Sequence, residues 1–113
     1  VDERRIIKVP YNGDFIARQS KVIETLDACR MGDHYHLHDE LYFVLEGEIT
    51  FTLEDPISKQ RGTYEMTRGD RLFIPSGIAH RADTAGRTIF LGYTTEPYES
   101  AEKSTRRYTI EIL

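Results

Sequence analysis

Three of the four histidines in this chain fall within five residues, in the string Gly32-Asp33-His34-Tyr35-His36-Leu37-His38-Asp39-Glu40; the fourth is His80. In extended chain, residues two apart project to the same side, about 6 to 7 Å apart. His34 and His36 can therefore approach one ion together. Imidazole nitrogen suits iron, manganese, nickel, copper and zinc, and a carboxylate adds negative charge and a hard oxygen. Glu40 lies four residues past His36, where a turn between two strands returns it to the same ion. His34, His36, Glu40 and His80 are thus the candidate ligands of one divalent metal ion. His38 shares their parity only if the strand runs straight. A turn before Glu40 swings it outward, behind the ligands or onto the surface.

His80 closes a second pattern: Gly69, five residues, Pro75, one residue, Gly77, two residues, His80. Gly69 supports a tight turn, and Pro75 with Gly77 shapes another. The strand carrying His80 is expected across the barrel from the first histidine pair. Tyr42 shares parity with Glu40 and is a pocket candidate, as is Phe73, although both side chains more often pack than touch a ligand. Asp33 and Asp39 read as turn or solvent residues, with Asp39 also able to orient a ligand histidine as an acceptor, and Arg71 and Arg81 as surface residues.

Strands must position these groups. Lys21–Leu26 is rich in β-branched residues, Leu41–Leu45 is a continuous apolar run, and Ile49–Leu53 alternates strictly. Tyr64–Met66, Arg71–Ile74, Thr88–Tyr93 and Tyr108–Ile112 add further short strands between turn residues. The stretches Glu54–Gly62 and Glu96–Arg106 read as loops, the second with room for a short helix. With no sustained 3.6-residue periodicity, this is an all-β sandwich or barrel. The apolar run at 41–45 needs cover on both faces. Leu41, Phe43 and Leu45 on the face away from the metal predict a homodimer, with Arg5–Val9 as a covering strand across a two-fold axis.

The 113 residues make one domain, 1–113, at 39% hydrophobic and 30% charged residues. No apolar run is long enough for a membrane helix. The net charge is −4 with dispersed basic residues, which argues against nucleic-acid binding. Cys29 is the single cysteine, so no internal disulfide forms; it reads as a small buried residue, and a cytoplasmic location is expected. The start at Val1 fits a trimmed or processed chain.

The two patterns together resemble the cupin superfamily. Its first motif is matched by His34-x-His36, three residues, Glu40, six residues and Gly47, over about residues 28–47. Its second, which ends in a further x3-Asn, is matched from Gly69 through Pro75 and Gly77 to His80, over about 69–84. Ala28 stands where the family has its leading Gly, and Thr84 where it has the final Asn. The resemblance implies a double-stranded β-helix, or jelly-roll barrel. It implies a divalent metal, with iron or manganese favoured over zinc or nickel because a mixed His/Glu site with open positions suits them. It further implies a metal-dependent enzyme acting on a small polar molecule, by dioxygenase-type oxidation or by isomerisation. Two alternatives stay open: a non-catalytic small-molecule or sugar binder, and a nucleotide-sugar epimerase or isomerase whose histidines act as acid and base without metal.

Overall fold

The structure is a computed structural model that describes residues 6–97 and 103–111. Its strands are β1 (Gln19–Thr25), β2 (Cys29–His36), β3 (Glu40–Glu46), β4 (Ile49–Glu54), β5 (Arg61–Met66), β6 (Arg71–Ile74), β7 (Ala79–Thr84), β8 (Thr88–Thr94) and β9 (Thr105–Arg107). They form two antiparallel sheets, one in the order β1-β8-β3-β6 and the other β5-β4-β7-β2-β9. This is the jelly-roll expected from the sequence: apart from the β4–β5 hairpin, consecutive strands cross between sheets, and the pairs β3–β8 and β2–β7 bring residues about fifty positions apart into register.

Alternation fills the space between the sheets. Tyr42 and Val44 of β3, Ile74 of β6 and Phe90 of β8 meet Ile49 and Phe51 of β4, Met66 of β5 and Ala82 of β7 in one buried cluster. Each inward side chain is followed by one that faces out, as a pleated strand requires. Burying side chains of this size contributes roughly 1.5–3 kcal/mol each relative to exposure.

The outer face of β3 is covered differently from the expectation. Leu41 and Phe43 are buried, but their cover is the N-terminal segment of the same chain. Tyr11 packs edge-on against Tyr93 at 4.9 Å, Phe15 against Phe73 at 6.1 Å, and the Pro10 carbonyl accepts a hydrogen bond from Arg71. Residues 6–9 form no strand; Arg5 lies outside the described residues. Leu45 stays 40% exposed. Leu41 and Phe43 are thus covered within one chain.

The C-terminal strand also sits elsewhere. It is β9, not Tyr108–Ile112, and Ile112 lies outside the described residues. Backbone groups of 108–110 are taken by partners other than a continuing ladder: Tyr108 N–H donates to the Asp33 carbonyl, Ile110 N–H to the Asp33 carboxylate, and the Ile110 carbonyl accepts from Arg81. The expected loop at 54–62 shrinks to 55–60, since β4 and β5 extend into it. Of the stretch 96–106, residues 98–102 lie outside the described residues and the last two belong to β9. Cys29, expected inside, is exposed at the start of β2. Its N–H donates to Thr84 Oγ1 at 3.0 Å, so the Thr found in place of Asn supplies a hydrogen bond there.

Candidate metal centre

The strand β2 does not run straight into its histidines. Gly32 pairs with Arg81, yet His34 pairs with His80, so Asp33 is extra: a β-bulge. Gly32 and Asp33 have φ of 97° and 58°. A Cβ at Gly32 would stand 2.6 Å from the His80 carbonyl oxygen, so glycine is required. The bulge turns His34 and His36 inward beside His80. It is fastened from behind: the Asp33 carboxylate accepts from Arg81 Nε at 3.0 Å. Arg81 is 5% exposed, which corrects its reading as a surface residue, and Asp33 is a structural partner and no solvent residue.

His80 is thus a neighbour of His34 within one sheet, not across the barrel. It is Glu40 that comes from the opposite sheet. The turn at 37–39 reverses the chain after His36, and β3 starts at Glu40. Asp39 holds that turn by accepting the Ser76 N–H at 2.8 Å, and the Gly77 N–H donates to the His36 carbonyl at 2.7 Å. Asp39 is thus the turn residue that the sequence suggested, and its carboxylate accepts from Ser76 and not from a histidine. The Pro75-Ser76-Gly77 turn is instead bonded to the turn that carries the ligands.

The four expected ligands converge. Glu40 Oε1 lies 3.1 Å from His36 Nε2 and 3.8 Å from His80 Nε2. The His34 ring centroid is 4.5 Å from that of His36 and 4.6 Å from that of His80. Potential ligand atoms of His34, His36 and His80 all lie within 4.8 Å of one another, and so do those of His36, His38 and Glu40. Glu40 Oε2 accepts from the Tyr42 hydroxyl at 2.9 Å, while Oε1 is buried with no hydrogen-bond partner. Such an orphaned carboxylate oxygen is costly in a protein interior. A cation held between Oε1 and the imidazoles would satisfy it, so the residues present fit a metal ion.

Electrostatics agree with that fit. Burial, reinforced by neighbouring His34, pushes His36 and His80 down to about 3. Both rings are neutral at physiological pH, as ligation requires. Burial raises Glu40 to about 7, against the opposing hydrogen bond from Tyr42. His36 Nδ1 meets Thr105 Oγ1 at 2.7 Å. With hydrogen on Nδ1, Thr105 is the acceptor and the Nε2 lone pair faces Glu40. A lone pair facing an ionised carboxylate needs a proton or a cation between them.

His38 is not at the surface. It is 4% exposed, stacks on His36 at 4.5 Å and 22°, and bonds through Nδ1 to Ser104 Oγ at 2.8 Å. The same turn that starts β3 tucks it behind His36. Tyr42 lines the cavity beside the histidines. Phe73 does not: it is 48% exposed and faces Phe15 on the outer side of β6, where neighbouring Ile74 takes the inward place. Sequence reasoning missed Thr105 and Ser104, which orient His36 and His38 from about seventy residues away, and it missed Lys21, which lines the cavity mouth. Pairing of β1 with β8 and β2 with β9 brings them in, and neither pairing leaves a local signal.

The cavity in front of the histidines has a volume of about 170 Å³ and walls of Ile23, Met31, Phe51, Ala82 and Phe90. No helix among the described residues is long and apolar enough to cross a membrane.

A two-sheet barrel with this histidine–carboxylate cluster facing its interior defines a class, and the chain belongs to it: residues 25–91 match the Cupin domain family. Acireductone dioxygenase of Xenopus laevis is 39% identical over 49 residues, 43% of this chain and 27% of that protein. The chain therefore spans only about a quarter of that relative. Among solved structures, dTDP-4-dehydrorhamnose 3,5-epimerase from Bacillus anthracis, with TDP and PPi bound, superposes with a TM-score of 0.77 at 24% identity, covering 87% of this chain and 68% of that one. The QdtA 3,4-ketoisomerase from Thermoanaerobacterium thermosaccharolyticum, in complex with TDP, gives 0.75 at 21% identity, covering 94% and 79%. The capsular polysaccharide assembling protein CapF from Staphylococcus aureus gives 0.74 at 19%, with 97% of this chain on 33% of that one. At these identities the likeness is one of fold.

Proposed function

We propose that this cupin domain binds one divalent metal ion, iron or manganese by preference, through His34, His36, Glu40 and His80, and acts on a small polar molecule at that centre. The observation that carries the reading is Glu40 Oε1: buried, unpartnered, and aimed at the Nε2 atoms of two neutral histidines. When bound, the ion supplies Lewis acidity or redox chemistry at coordination positions the protein leaves open. The chain's own residues do the rest. Thr105 holds the His36 ring through Nδ1, Tyr42 orients the carboxylate, and the apolar wall limits water around the site. Dioxygenase-type oxidation is supported by the match to acireductone dioxygenase over 49 residues. The test is oxygen uptake by iron-loaded protein against a panel of diols, β-diketones and enediols. Turnover of one of these supports the oxidation. Stoichiometric metal without oxygen uptake on any of them points to isomerisation or to a binder.

One observation favours a second reading. Glu40, held near neutrality and 3.1 Å from His36 Nε2, is placed to share a proton with it, which is the equipment of a metal-free epimerase or isomerase. The fold likeness to nucleotide-sugar enzymes supports it. Exchange of substrate protons with solvent, in chelator-treated protein given nucleotide sugars, would select this reading over the first.

A homodimer belongs to the proposal as well. Its support is the pairing of exposed Ile6 and Leu45 along one outer groove, and sedimentation at micromolar concentration tests it.

A further inference from the structure

We propose that Lys21 is the anion-recognising residue of the cavity, and that the molecule taken up there is a small organic acid or enolate with a short apolar body. This deepens the metal reading above and rests on it.

Lys21 lies on β1 opposite Gly92 of β8. A Cβ at Gly92 would stand 3.4 Å from Lys21 Cε and 3.2 Å from Tyr42 Cε1. The lysine stem thus crosses β8 over the one position of that stretch with no side chain, and Lys21 lines the cavity with His34, His36 and His80. Among the described residues it has no hydrogen-bond or ion-pair partner. Glu24, on the same strand, pairs with Arg87 at 2.6 Å instead. Lys21 as a whole is exposed, yet its stem lies on the inward side of β8, beside Tyr42. It stands on the face of β1 that also carries Ile23 to the cavity wall.

A second positive charge beside a metal cluster repels the metal. It is tolerated where something negative arrives. With a divalent ion present, neutral histidines, ionised Glu40 and Lys21 leave the centre at a net charge of about +2, which an anionic ligand offsets. The cavity sets the size. An apolar space of about 150 Å³ admits a benzene-sized molecule, and this one is about 170 Å³ with an apolar wall. A nucleotide diphosphate does not fit inside, and the lining offers one lysine and no arginine to meet its charges.

The test uses the manganese-loaded chain, with 2-oxopentanoate as the anionic probe and 2-oxopentanamide as its neutral counterpart, read by water-proton relaxation and calorimetry. Wild type is expected to bind the acid at least tenfold more tightly than the amide. Lys21→Met, which still leaves the metal to attract the anion, is expected to lower that preference several-fold while holding metal at least as well as wild type, and Lys21→Arg to restore most of it. Equal acid binding by wild type and Lys21→Met at equal metal content overturns the proposal alone, as does failure of the metal-loaded wild type to bind the acid at millimolar concentration. A wild type that holds no manganese overturns the proposal together with the metal reading, and the metal measurement makes that case separate from the others.

Discussion

Glu40 Oε1 stands 3.1 Å from His36 Nε2 although the two side chains belong to different sheets of the barrel. The tight turn at 37–39 makes this possible, and the Pro75-Ser76-Gly77 turn is bonded onto it. The two sequence motifs therefore support one another physically: one supplies three candidate ligands, and the other supplies the fourth and the brace for the first.

His36 occupies the middle of that arrangement, between Glu40, His34, His80 and His38. His36→Ala is expected to remove most bound metal. His38→Ala is expected to keep the stoichiometry and weaken affinity less than tenfold, because His38 supports the His36 ring by stacking. Metal titration of both variants checks this, and equal loss in the two would mean that His38 is itself a ligand.

Tyr42 donates to the Glu40 oxygen that does not face the histidines. Tyr42→Phe deletes that donor and keeps the ring packed on Phe51 and Phe90. Partners of this kind alter metal affinity by roughly 10- to 100-fold. A loss within that range, with little change in the unfolding midpoint, is the expected result of a competition titration against a chelator.

The metal-free chain should lose stability in acid. His36 and His80 sit near 3 when folded and near their ordinary 6.5 when unfolded. Between these values the unfolded chain binds more protons, so stability falls as pH drops below about 6.5. Glu40 works in the opposite sense, since at about 7 it holds a proton when folded that it loses when unfolded above 4.5. Near pH 5 two histidine protons outweigh one carboxyl proton, leaving roughly one net proton per chain and a positive slope. Above pH 7 the two effects nearly cancel. Urea midpoints of chelator-treated protein should be flat from pH 7 to 8 and fall steadily from 6.5 to 4.5.

The fold class and the convergence of four ligands were legible because parity and motif spacing are local properties. His34 and His36 share a face, and Glu40 follows one turn later. What escaped was non-local. The bulge at Gly32 and Asp33 needed the register against β7, where a glycine is demanded by the His80 carbonyl and not by its own neighbours in sequence. His80 was expected on a facing strand because sequence separation does not say which strands pair. Arg81 looked like a surface residue until the C-terminal segment closed over it. Phe73 lost the inward place on β6 to Ile74, a core residue, by one step of alternation.

Arg81 links that segment to the bulge. Arg81→Met leaves the Ile110 carbonyl and the half-buried Asp33 carboxylate without their partner. The expected cost is about 3 kcal/mol, the low end for a broken buried pair because Asp33 keeps some access to water. Urea unfolding at pH 7.5 reads it directly. A change below about 0.5 kcal/mol, the size of an ordinary surface substitution, would show that the strap does not hold the bulge.

The central claim is that His34, His36, Glu40 and His80 hold a metal ion. Elemental analysis of protein purified without metal-affinity resin, before and after incubation with iron, manganese, nickel or zinc, measures it most directly. About one ion per chain is expected, lost on chelation and restored on reloading. Less than about a tenth of an ion per chain, unchanged after incubation with all four metals, would contradict it.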